Sequence, residues 1–360
     1  RGLSRMKVIG DWDGLGRKEA LVPDLDGLRV VPLVPDAKAH GLRARILHES
    51  EGIAGNSLDL AHWSSRMVWP TVVMADSDGN GALELHAADR FGLAVYPRTA
   101  DGLAAKPTAT RNFPPFSFEE ELRSNSNFLR AESVDLDGDQ LADLIVHRTV
   151  GTLSGARAHA ALHRNRGQGA DPLMAPDAEI EVEGGFGFAT AVDLDADGSL
   201  ELVQISVGFG VVQMIRIMTR GRADVDLSVH EIERSGEGLR LVEAWEETIS
   251  VPFDMEKGRV GTLLPRTEGD WNGDGLLDMV HGDGDGLAVR LGRAGSLGVE
   301  FGAKIPIEAK PEEGGLIADL DGDGLDELVL WNPISRSGQV RILRNRGQLP
   351  GTRPGFRPLD

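Results

Sequence analysis

The sequence has no cysteine, one tyrosine and only 5% aromatic residues. Without cysteine there is no disulfide framework and no thiol chemistry, although that absence leaves the compartment open. No apolar run approaches the roughly 18 residues of a helical membrane span. Cations are also scarce, with 38 Lys and Arg against 57 Asp and Glu and a net charge of −19. No basic stripe stands out, so the electrostatic footprint of a nucleic-acid binder is missing. There is no P-loop, nucleophile elbow or His-Glu-x-x-His signature, and no catalytic set is expected.

What the chain does have is glycine, 46 residues of it, and short acidic loops. The clearest runs Asp319-Leu320-Asp321-Gly322-Asp323-Gly324-Leu325-Asp326-Glu327 and leads into Leu328-Val329-Leu330. Acidic side chains stand at loop positions 1, 3, 5 and 9, and glycines at positions 4 and 6 allow the backbone φ > 0. Carboxylates converging from one short loop suit a hard cation of the Ca²⁺ type, with six to eight oxygen ligands. The loop holds no Cys or His for a softer metal.

The pattern recurs, which points to repeats. Positions 1, 3, 5 and 9 are Asp76, Asp78, Asn80 and Glu84 in a second loop, and Asp135, Asp137, Asp139 and Asp143 in a third. They are Asp193, Asp195, Asp197 and Glu201 in a fourth, and Asp270, Asn272, Asp274 and Asp278 in a fifth. The earliest copy has Asp11, Asp13 and Glu19 but Leu15 at position 5, which makes it the weakest site. Twenty-one Asp and Glu occupy these positions, and subtracting them from −19 leaves a charge near +2. The acidity is therefore concentrated in the loops. Two departures stand out: Gln140 at position 6 of the third loop and Ala196 at position 4 of the fourth. Both put a side chain where φ > 0 is expected, which costs about 1 kcal/mol.

The D-x-D-G-D-G-x-x-D loop before an apolar strand resembles the FG-GAP/VCBS repeats of integrin-α-type propellers, over nearly the whole chain. The resemblance implies an all-β fold, a β-propeller of four-stranded blades with calcium in the loop between first and second strands. Six copies imply six blades, with seven as the alternative. The expected organisation is one propeller domain over 1–360, with blades near 5–66, 67–130, 131–186, 187–259, 260–313 and 314–360. About five structural Ca²⁺ ions are expected, six if the first loop fills. Weak extracellular-type sites fill where calcium is abundant, so an extracytoplasmic location is expected, with any signal or anchor already removed.

Within each repeat the apolar runs place the strands. In repeat four these are Leu200–Val207, Val211–Thr219 and Val225–Ile232, followed by an extension over Leu241–Met255 that carries Trp245. Other excursions are Glu51–Arg66, with His62 and Trp63, and Arg111–Asn127, with Phe113, Phe116 and Phe118. Ser117 to Glu120 offers a helix start. Asn165-Arg166-Gly167-Gln168 and Asn345-Arg346-Gly347-Gln348 follow the third strands of repeats three and six. Trp12 and Trp271, at loop position 2, are read as packing, and His159 and His163, on one strand face, as ordinary surface or packing histidines. Asp283 and Asp285 are read as a hairpin turn.

The function implied is binding: an adhesion or assembly module, not an enzyme, meeting a protein partner or a cell-surface glycan through the three excursions. A lectin is the alternative, and a polysaccharide lyase or hydrolase a lesser one.

Overall fold

Each acidic loop is entered by one apolar strand and left by another, and that hairpin begins a sheet. The residue just before position 1 pairs with position 9 in all six copies: Gly10 with Glu19, Ala75 with Glu84, Val134 with Asp143, Val192 with Glu201, Gly269 with Asp278 and Ala318 with Glu327. In this computed structural model the chain is all-β, with the six-bladed β-propeller arrangement of four-stranded sheets. The structure describes residues 9–24, 27–33, 45–48, 53–55, 64–66, 70–100, 102–114, 116–117, 120, 127–151, 155–167, 175–236, 238–255, 259–295, 298–310, 312, 314–322, 324–332, 339–347 and 357–358.

The first sheet orders Ile9–Gly10, Glu19–Asp24, Gly27–Pro32 and Arg45–His48. The second has Thr71–Ala75, Glu84–Ala88, Gly92–Tyr96 and Ala109–Asn112. The third has Phe128–Val134, Asp143–Val150, Arg157–His163 and Ala178–Glu183. The fourth adds a short fifth strand, Arg259–Val260, to Gly185–Val192, Glu201–Gly208, Arg222–Ser235 and Gly238–Asp254. The fifth has Arg266–Gly269, Asp278–Asp283, Gly286–Arg290 and Ile305–Ile307. The sixth has Gly314–Ala318, Glu327–Trp331, Val340–Arg344 and Arg357–Pro358. All of these pairings that are described are antiparallel, so each sheet is a meander of tight turns, which accounts for the glycine content.

The chain forms two compact units, residues 3–150 with 160–179, and residues 151–159 with 180–360. In the first, Trp12, Leu21 and Leu28 of blade one pack on Leu85, Ala87 and Tyr96 of blade two. Leu93, Phe113 and Phe116 of blade two then pack on Leu129, Ala131 and Leu144 of blade three. In the second unit Leu194, Val203, Leu227 and Val229 of the fourth blade meet Met279, Val299 and Phe301 of the fifth. Leu263, Trp271 and Val280 in turn meet Ile317, Leu328 and Leu330. Each fully buried Leu contributes about 1.5–3 kcal/mol to this face-to-face packing.

Three sequence expectations change. The run Val211–Thr219 is not a strand: Val211–Arg220 is a helix, α1. Its β-branched apolar residues suggest a strand, but Gly221 closes it in the left-handed conformation, φ 60°, and donates its N–H to Ile217 O. That is a glycine helix stop. Leu241–Met255 is not an extension, because Gly238–Asp254 is a strand of the sheet, paired from Arg222↔Pro252 to Ser235↔Gly238. Residues 111–112 of the expected Arg111–Asn127 excursion belong to the strand Ala109–Asn112.

The aromatics of these stretches mostly pack. Phe113 and Phe116 are buried, and Trp245 stacks edge-on against Phe301 at 5.1 Å. Trp12 and Trp271 are buried, as read. Ser117 and Glu120 make the reciprocal bonds of a capping box, 2.6 and 3.2 Å. In Glu51–Arg66 a ribbon pairs Ile53–Gly55 with Ser64–Arg66, while His62, Trp63 and Phe118 lie outside the described residues.

Candidate metal-binding loops

The six loops are built alike. The position-6 N–H donates to the position-1 carboxylate Oδ2 in every copy, from Gly16, Gly81, Gln140, Gly198, Gly275 and Gly324 at 2.7–3.1 Å. The position-2 N–H donates to the position-9 carboxylate in every copy, from Trp12, Ser77, Leu136, Leu194, Trp271 and Leu320 at 2.7–2.9 Å. The first bond curls the loop back on its start, and the second fixes the acid at its end. Glycine φ values of +73° to +91° at positions 4 and 6 make the curl.

Among the described residues only Gln140 and Ala196 have positive φ without being glycine, at 70° and 59°. These are the two positions that the sequence singled out. Gln140→Gly and Ala196→Gly are each expected to raise stability by roughly 0.5–1 kcal/mol, the relief of left-handed strain exceeding the added chain entropy. A denaturation midpoint that falls in both variants would contradict this.

Three carboxylates, each with an oxygen within 4.8 Å of the others, gather in five loops: Asp11, Asp13 and Glu19; Asp76, Asp78 and Glu84; Asp135, Asp137 and Asp143; Asp193, Asp195 and Asp197; and Asp319, Asp321 and Glu327. In the fifth repeat Asn272 replaces the second carboxylate and donates to Asp274 at 2.8 Å. Asp270 there holds Gly273, Asp274 and Gly275, and Asp278 accepts from Gly292 as well as Trp271. Asn80 and Asp139 cap the N–H of Ala82 and Leu141. Asp323 lies outside the described residues.

The donor set fits a hard cation, because it is all oxygen and parts of it lack partners. Asp193 Oδ1 and Glu327 Oε1 are buried with no hydrogen-bond partner, and Glu327 is 1% exposed. A buried carboxylate oxygen without a donor is costly unless a cation meets it. In the first loop the chain supplies a cation itself: Arg17, at position 7, pairs with Asp13 at 2.7 Å and Glu19 at 3.1 Å. Arg164 pairs with Asp137 and Asp139, and Arg344 pairs with Asp321.

Burial pushes the position-9 acids up. Asp143, Glu201 and Asp278 are each raised to about 7 by desolvation, and backbone donors only partly offset it. Glu19 is raised for the same reason. Without metal these acids bind protons more tightly folded than unfolded. Their contribution to stability is full below about pH 4 and disappears as pH rises through 7. Asp76 goes the other way: burial pushes it up, but the N–H groups of Gly81, Gly79, Asp78 and Asn80 outweigh that and hold it low.

The Asn-Arg-Gly-Gln turns have a role that their recurrence hinted at and their composition did not show. Asn345 Nδ2 donates to Trp271 O at 2.7 Å, and Asn165 Nδ2 donates to Ser77 O at 2.8 Å. Each thus reaches position 2 of the preceding loop. Loops also touch directly: Ala142 N–H donates to Asp76 O, Leu277 N–H to Leu194 O, and Asp326 N–H to Asp270 O. Asp283 ends a hairpin at Gly286, as read, and pairs with Lys304 at 3.0 Å.

Buried histidines flank the loops. His86, 2% exposed, is lowered to about 4 by desolvation. His281 is lowered too, chiefly by burial; its Nδ1 faces Gly282 O at 2.9 Å, and Arg290 Nε donates to its Nε2 at 3.4 Å. Both are neutral in the fold and charge on unfolding below 6.5. The histidines' share of stability should therefore fall as pH drops from 6.5 towards 4, by about 3 kcal/mol for His86, and it opposes the gain from the raised acids over the same range. In a series of melts against pH, the stability of His86→Leu relative to wild type should rise as pH drops from 6.5 towards 4; a constant difference between the two would remove His86 from the pH dependence. His163 is buried and His159 half-buried on Arg157–His163.

No family model matches the sequence, and no curated protein matches it. Among solved structures the chain is similar to an Agrocybe aegerita lectin described as recognising non-reducing terminal N-acetylglucosamine. The identity is 16% and the TM-score 0.41, covering 93% of this chain and 88% of that one. Among the described residues no helix is long and apolar enough to cross a membrane.

Proposed function

We propose that the chain is a calcium-stapled propeller of the FG-GAP/VCBS kind, extracytoplasmic, whose work is binding rather than catalysis. The observation that carries this reading is the sameness of the six loops, each curling its position-1 carboxylate back onto position 6 and tying its position-9 acid to position 2. Sameness in every blade suits a structural part, since a catalytic ion needs one open, substrate-facing site. Asp76, Asp78, Asn80, Glu84 and their counterparts at positions 1, 3, 5 and 9 of the later loops would hold the ions, with the Arg17-filled first loop the weakest. Bound calcium would add positive charge to carboxylates that Arg17, Arg164 and Arg344 meet only in part, so its binding energy is folding energy.

Adhesion or assembly through a protein partner is the function that such a rigid, repeated scaffold serves best, with glycan binding as the alternative. A glycan array read in calcium and again in EGTA separates them. Calcium-dependent binding to a related set of sugars makes the chain a lectin. No sugar binding, with intact calcium-dependent melting, leaves the protein partner.

A further inference from the structure

The feature that the repeats do not explain is α1. It leaves the second strand of the fourth sheet at Gly210 and returns to the third at Gly221. Its inner side is anchored. Ile217 is 1% exposed and packs with Phe209 and Ala223, and Phe209 meets Phe186 and Phe253 edge-on at 5.8 and 6.4 Å. Gln213 Nε2 donates to Asp224 O at 2.9 Å, and Arg216 pairs with the Asp224 carboxylate. Its outer side is apolar: Val211 is 77% exposed, Val212 71%, Ile215 56% and Met218 71%. Those residues follow helical spacing and form one ridge. Met255, also exposed, follows the strand end that pairs beside the helix stop.

The charge of the segment that carries this ridge runs against that of the whole chain. From Leu202 to Ala223 there is no Asp or Glu, and the charged residues are Arg216, Arg220 and Arg222. Arg220 is exposed in the last turn. Counting Asp224, this segment carries a charge of +2 in a protein of −19.

We infer that α1 lies in the interface of an anionic lipid bilayer, with Val211, Val212, Ile215 and Met218 among the acyl chains and Arg220 at the headgroups. An exposed apolar face flanked by arginine is the chemistry of an interfacial helix. Ten residues make about 15 Å, so the helix lies on the bilayer and does not cross it. A second copy is the weaker occupant. A stable dimer needs about 800 Å² from each partner, whereas a ridge of four side chains offers a few hundred.

Sedimentation with vesicles tests this, with calcium present throughout. The protein is expected to pellet at least about tenfold more with mixed phosphatidylcholine–phosphatidylglycerol vesicles than with phosphatidylcholine alone. Ile215→Asp with Met218→Asp should abolish pelleting while the melting curve is kept, and Arg220→Gln should reduce the preference for phosphatidylglycerol. Should the double variant fold poorly, Ile215→Trp gives a second readout, a blue shift of its fluorescence on adding mixed vesicles. Pelleting equal in wild type and folded double variant, or no blue shift at Ile215→Trp, overturns the inference. So does a dimer in analytical ultracentrifugation that the double variant abolishes, because the ridge would then face a second copy.

Discussion

Chelation with EGTA is expected to lower the melting midpoint by more than about 10 °C. At a calcium concentration 100-fold above Kd each filled site contributes about 2.7 kcal/mol, so five contribute about 13. Whole domains have only about 5–15 kcal/mol of stability. The metal-free protein should therefore be marginal, with buried acids such as Asp278 and Glu201 taking up protons in place of metal. The effect can be assigned to a single loop with Asp195→Asn. Asparagine keeps the oxygen that accepts the Asp197 N–H and loses the charge. In calcium this variant should melt lower than wild type, by about the worth of one site; in EGTA the two should coincide, or the variant should melt slightly higher through reduced repulsion. If wild type melts identically with and without calcium, the staple reading fails.

The second large effect is expected at a residue that binds no ion. Asn345→Ala should cost about 2–3 kcal/mol, the scale of a buried acceptor left without its donor. Asn345 is 1% exposed, donates to Trp271 O and accepts from Gly347. Asn345→Asp should cost at least as much: it is the same size but has no N–H, and it sets a carboxylate against a carbonyl. Asn165→Ala should behave similarly, since Asn165 Nδ2 serves Ser77 O and Ala142 O together. The exposed neighbour Arg346 makes a control, and Arg346→Ala should change little. Urea denaturation would measure all four. Equal midpoints for Asn345→Ala and Arg346→Ala would mean that the turn asparagine is not a latch.

The blade hairpins were legible because two signals coincide at each: a period of acidic positions and an apolar run straight after it. The position-9 residue both ends the loop and starts the strand, so the loop fixes the register. Even the strained sites Gln140 and Ala196 were legible, because a curl that needs glycine marks any residue that is not one. The fourth blade was not legible in the same way. Val211-Val212 and Ile215 look like a strand, and only tertiary packing on Phe209 and the stop at Gly221 make them a helix. Leu241–Met255 looks surplus once α1 is counted as a blade strand, because that leaves no place for the real one. The asparagine latch was half visible: repetition marks it, but a long-range bond to another blade leaves no local pattern.

Three pairs of neighbouring loops share a backbone bond, from the position-8 N–H of one to a carbonyl at the start of the one before: Ala142 to Asp76, Leu277 to Leu194 and Asp326 to Asp270. A loop that closes on an ion thereby steadies the carbonyl framework of its neighbour. Loops joined in this way are coupled neighbours, as in a repeat array. Filling one should make the next easier to fill, and by reciprocity emptying one should loosen it. Calcium uptake should then be steeper than a set of independent sites allows, and the protein should respond to calcium as a threshold rather than a gradient.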